Sequence, residues 1–163
     1  MDANLDPPYD IQYLVNRDLS GYTELLELLQ SEKQLLVNRD FDTFAAVLER
    51  KHALLTVLDA QTKLRLNLLT SRKLSSDETG MQALIEQQPE YGRETLIANW
   101  ADLKKIVMKC NRQNEVNAKI AHRAQTTSRQ ILNILKGAPI STNLYGKSGT
   151  AKGSDAGLSI TRA

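Results

Sequence analysis

Cysteine occurs once in the 163 residues, at Cys110, so no internal disulfide can form and a reducing compartment is expected. Aromatic residues are 5% of the chain, too few for a typical β-sandwich and in keeping with a Leu-rich helical bundle. No apolar run is long enough to cross a bilayer, so membrane insertion is not expected. The start, Met1-Asp2-Ala3-Asn4-Leu5-Asp6, lacks the cationic flank and apolar core of a secretory signal, so a cytoplasmic location is expected. Five of the eight glycines lie at 137, 146, 149, 153 and 157, without the spacing of a phosphate-binding loop.

What is present is apolar residues at helical spacing, 41% hydrophobic against 25% charged. The net charge of +2 hides an asymmetry: residues 1–50 are mostly acidic. From Lys104 to Lys136 only Glu115 opposes the cations. An acidic first helix attracting a basic last helix accounts for this, as does a surface that steers an acidic partner.

Four helices follow from the pattern. Pro8 suits the first turn of a helix striped by Ile11, Val15, Tyr22, Leu25, Leu26, Leu29 and Leu36. A tight reversal is expected with Asn38 left-handed and Asp40 as N-cap. Phe41, Phe44, Leu48, Leu55, Leu58, Leu66 and Leu69 mark the face of a second helix, ending between Thr70 and Leu74. Ser75, Ser76 and Asp77 offer caps for a short helix holding Met81, Leu84 and Ile85. Pro89 and Gly92 precede a long helix. From Leu96 to Leu135, roughly 60 Å of helix, it carries an uninterrupted heptad seam. The fold expected is all-α: an antiparallel bundle of three long helices and one short one over 1–136. A flexible Gly/Ser/Lys-rich tail is expected over 137–163.

Catalytic and metal chemistry find little purchase. Glu49-x-x-His52 is half of a di-iron motif, but Lys119 stands where His122 would need its glutamate, so no metal is expected. Cys110 sits on the seam as a small buried hydrophobe. No enzyme and no cofactor are expected. Nucleic acid is not expected as a partner, because no aromatic residue interrupts the basic stretch 104–136.

The long seam changes character at Asn111, Asn114 and Asn117, then runs through Ala121, Ala124 and Ser128 to Ile131 and Leu135. Polar seam residues can set the register of a coiled-coil scaffold. They can also leave a shallow groove for a partner's amphipathic helix, anchored by Ile120, Ile131, Leu132 and Leu135.

Taken in order, Leu26-x-x-Leu29-x-x-Glu32, Asp40-Phe41, Leu48-x-x-Lys51-x-x-Leu54-Leu55-x-x-Leu58, Trp100, Asn111-x-x-Asn114 and Leu144-Tyr145-Gly146-x-x-Gly149 form a series. That series resembles the FlgN-type flagellar export chaperones over about residues 20–160, departing at Glu115, where the family usually has Gly. The resemblance implies a cytoplasmic chaperone of flagellar type III secretion. It would hold hook–filament junction proteins by their C-terminal helical segments and prevent premature assembly. It also implies the cytoplasmic domain of the export gate as a partner, with the export ATPase a further candidate. On this resemblance Leu144, Tyr145 and Gly146 would dock on the gate. Cargo would lie along the long helix at Asn111, Asn114, Asn117, Ile120, Ala124, Ile131, Leu132 and Leu135. The alternative is a generic coiled-coil scaffold or adaptor without chaperone activity.

Overall fold

The computed structural model of the chain describes residues 10–136. Four helices follow in order: α1 Ile11–Asn38, α2 Phe41–Ser71, α3 Glu78–Glu86 and α4 Glu90–Leu135. The all-α expectation holds, and no strand occurs among the described residues. Two compact units divide the chain between Ala124 and Gln125, inside α4. The composition change at Gly137 and the whole 137–163 tail lie outside the described residues.

Helices α1, α2 and α3 each begin where a short carboxylate can take the free N–H groups of the first turn. Asp10 accepts from Gln12, Asp40 from Thr43 and Asp77 from Gly80. Helix α1 therefore starts at Ile11; Pro8 lies outside the described residues. The reversal into α2 has the expected N-cap, but the left-handed residue is Arg39 (φ 58°), not Asn38. Asp40 N–H returns to the Leu35 carbonyl (3.1 Å), so the residue beyond the last helical position takes the left-handed turn.

Side-chain contacts give the helix directions in the first unit. Asp18 pairs with Arg65 and Glu32 with Lys51, which makes α1 and α2 an antiparallel hairpin. Facing positions of α1 and α4 rise together: Asn16 meets Asn99, the Tyr22 carbonyl meets Cys110, and the Leu29 carbonyl meets Asn117. Helix α4 thus runs parallel to α1, at a sequence offset of 88 in the last two contacts. At that offset Ala124 corresponds to Leu36, so α1 is nearly used up where the first unit ends.

Two apolar clusters fill this unit. One joins Ile11, Leu14 and Val15 to Leu68, Leu69, the α3 residues Met81, Leu84 and Ile85, and Leu96 and Leu103 of α4. The other holds Leu25, Leu29, Leu58 and Cys110. The α2 face is in part the one expected: Leu58 and Leu69 are buried and Phe44, Leu48 and Leu66 half-buried, but Gln61 and Leu68 join the buried line while Phe41 and Leu55 are exposed. Leu55 lies one residue, about 100° of helix, off half-buried Leu54.

The short α3 is locked at both ends. A Cβ on Gly80 would come within 1.8 Å of the Ser75 carbonyl, so only glycine fits there. Arg93 donates to the Gln88 carbonyl (3.0 Å from Nε), tying the end of α3 to α4. Between them Tyr91 and Gly92 leave helical geometry (Gly92 φ 91°), and the unbroken run of α4 begins after that break.

Candidate partner-binding surface

Along α4 every seventh residue of the seam, Leu96, Leu103, Cys110 and Asn117, is buried. The Cys110 thiol donates to the Tyr22 carbonyl (3.4 Å), and burial raises its pKa, so it stays a protonated packing group. Burial likewise raises the pKa of Tyr22.

The predicted cargo residues separate by environment. Asn117 is 3% exposed; its amide donates to the Leu29 carbonyl (2.7 Å) and Glu32 Oε2 (2.9 Å), and its oxygen accepts from Gln113 (2.9 Å). It is an interior group that ties α4 to α1, which matches the register role open to a polar seam residue. Asn111, Asn114 and Ala124 are exposed and Ile120 half-buried, all in the first unit. In the second unit, Ile131 and Leu132 are each 52% exposed, Ile134 55% and Leu135 76%. Ile134 was not singled out by the seam pattern, because it falls between seam positions. Leu144, Tyr145 and Gly146 lie outside the described residues.

Two polar layers cross the interior of the first unit. Asp18, fully buried, pairs with Arg65, whose guanidinium lies 5.4 Å from the Trp100 ring centroid. With its amide nitrogen turned toward Asp18, Gln61 donates to Oδ1 (3.1 Å) and accepts from Arg17 (3.3 Å). Burial lowers the Arg65 pKa without approaching neutrality for a guanidinium. The second layer is Lys51–Glu32 (2.6 Å) with Asn117. Among the described residues no ion pair joins α1 to α4: Asp18, Glu24 and Glu32 all pair with α2. A helix-period signal was available, since Asp18 and Glu32 stand at seam steps of α1 among Ile11, Val15, Tyr22, Leu25 and Leu29.

Glu49 and His52 are exposed on α2. Among the described residues no three His, Cys, Asp or Glu side chains gather as a metal site requires. Nor is any helix among them long and apolar enough to cross a membrane.

By fold and surface, then, this is an all-α bundle protein that leaves a row of large apolar side chains uncovered near the end of its longest helix. A family model described as FlgN protein matches residues 10–153, and the chain belongs to that family. The match takes in the Leu144-Tyr145-Gly146 segment. A solved structure of a flagella synthesis protein FlgN from Pseudomonas aeruginosa is similar to this chain at 27% identity and a TM-score of 0.61. The similarity covers 75% of this chain and 92% of that one. No curated protein sequence matches the chain significantly.

Proposed function

We propose that this protein is a cytoplasmic, non-enzymatic export chaperone of flagellum synthesis. It binds the C-terminal helical segments of hook–filament junction proteins, keeps them from assembling early, and delivers them to the export gate. The observation that carries the reading is the exposure of Ile131, Leu132, Ile134 and Leu135 on one stretch of helix in a member of this family. Exposed apolar side chains in such a row are what a partner's amphipathic helix covers. Asn111, Asn114 and Ala124 add a polar and small-residue surface beside the half-buried Ile120 that can release cargo as well as hold it. Leu144, Tyr145 and Gly146 form the gate-docking segment in this reading, with the export ATPase as a further contact.

Co-purification with the C-terminal segment of a junction protein tests it. Leu132→Asp with Leu135→Asp is expected to abolish a stoichiometric complex while the circular dichroism of the chain stays that of the parent. Retained complex, or loss of helicity, sinks the assignment of these residues to cargo. In the same assay Tyr145→Ala is expected to keep cargo and lose the isolated cytoplasmic domain of the gate. Unchanged gate affinity refutes the docking role.

A further inference from the structure

The basic part of α4 is not spread evenly around the helix. Lys105, Lys109, Arg112, Val116, Lys119 and Arg123 follow one another at alternating steps of four and three, so they form one stripe along one face. All six are exposed. Lys105 is paired with Asp102 of its own helix (2.9 Å); Lys109, Arg112, Lys119 and Arg123 make none of the ion pairs found among the described residues. Glu115, the single anion of this stretch, borders the stripe, three residues after Arg112 and four before Lys119. Alongside the stripe, α4 and α1 leave a groove of about 250 Å³ lined by Leu26, Gln30, Lys109, Arg112, Gln113 and Val116. It continues past Gln30 to Gln34 along α1. Its floor at Leu26 and Val116 is apolar and its α4 rim cationic, while the continuation along α1 is polar and carries both Glu27 and Lys33; the whole of it lies in the first unit.

We propose that this groove and its cationic stripe dock an acidic amphipathic α-helix of a partner protein, as a site separate from the exposed end of α4. A helix seated there would lay apolar side chains over Leu26 and Val116. Its carboxylates, repeating at the same four-three steps, would face Lys109, Arg112, Lys119 and Arg123. That is the arrangement by which flanking charges select partners in coiled coils. The heptad spacing of the cations favours a helix over a phosphate backbone, and no aromatic side chain between 104 and 136 offers a base a stacking surface. Attraction of this kind steers encounter and weakens as salt rises.

The test uses the full chain and a synthetic helical peptide of about 20 residues, enough to span some 30 Å. The peptide is built of Leu, Ala and Glu with the glutamates at four-three spacing. Fluorescence anisotropy is expected to show salt-sensitive binding of this peptide and none of its counterpart with Lys in place of Glu. Lys109→Glu with Arg112→Glu, and separately Lys119→Glu with Arg123→Glu, are each expected to weaken binding about tenfold or more, a step of the size one strong charge contact gives. Glutamine replacements at the same positions serve if a charge reversal unfolds the chain by circular dichroism. Equal affinity of parent and variants overturns the proposal. So does an oligothymidine or an anionic vesicle that binds as tightly as the peptide and is lost in the same variants. A concentration-dependent dimer abolished by those variants overturns it too, by naming a second copy as occupant. Co-purification of junction-protein segments is expected to survive all four substitutions, which keeps this site distinguishable from the cargo surface.

Discussion

Asp18 shows what a charged residue does at a core position. Its carboxylate is fully buried and is held by Arg65, whose guanidinium lies over the ring of Trp100. Removing one partner of a buried pair leaves the other charge without compensation, which costs about 3–5 kcal/mol, whereas replacing both by apolar residues can be neutral. Asp18→Ala is therefore expected to lower unfolding stability in urea by about 3–5 kcal/mol. Asp18→Leu combined with Arg65→Leu should recover most of that loss. A change below about 0.5 kcal/mol for Asp18→Ala, typical of surface positions, would show that the carboxylate is not buried as described.

At the scale of the element, the docking of α3 depends on carboxylates and so on pH. Glu78 accepts from Lys104 Nζ (2.6 Å) and from the Trp100 indole N–H (3.3 Å), and the Lys104 contact is the main reason its pKa falls below the ordinary value. The exposed N-cap Asp77 is also lowered, first by the Ser75 hydroxyl and then by the Gly80 N–H. A carboxylate whose folded pKa is depressed stabilises the fold above its unfolded pKa, and that contribution is lost as pH falls through the folded pKa. Docking of α3 on α4 is thus expected to loosen below the usual glutamate range. Trp100 is the single tryptophan, so its fluorescence reports the step directly. The acid transition in Trp100 emission should move or vanish in Glu78→Gln; an unchanged transition would detach Glu78 from it.

The short helix was legible in advance because its signals are local: Asp77 caps it and Met81, Leu84 and Ile85 supply its buried face. The Asp40 cap and the end of α2 were legible for the same reason. What was not legible depends on pairing across the bundle. Arg65 and Lys51 look like solvated charges until α1 is placed opposite, and the burial of Leu54 rather than Leu55 follows from the same rotation of α2. Asn117 carried a signal of polarity on the seam, but its partners, the Leu29 carbonyl and Glu32, are 88 and 85 residues away.

Across the whole hairpin the two buried ion pairs act on register together. The position numbers of Asp18 with Arg65 and of Glu32 with Lys51 have the same total, as an unslipped antiparallel pair demands. Sliding α2 by a turn in either direction would set Arg65 against Leu14 or Tyr22, and Lys51 against Leu28 or Leu36. Every such slip leaves both cations without a carboxylate partner, so the pairs penalise alternative alignments more than they add net stability. Replacing Asp18, Glu32, Lys51 and Arg65 all by Leu is expected to preserve helicity and thermal stability while giving broadened or doubled backbone amide resonances. A single sharp set in that variant would remove the register role.

The burial of Cys110 has a practical consequence. Its thiol is enclosed beside Tyr22 and kept protonated, so maleimide reagents at neutral pH should leave it untouched. A cysteine introduced at Ser128 or Asn133 would then be the sole reactive handle without any need to delete the native one. Spin labels or fluorophores could be placed there to follow cargo arriving on, and leaving, the end of α4 in real time.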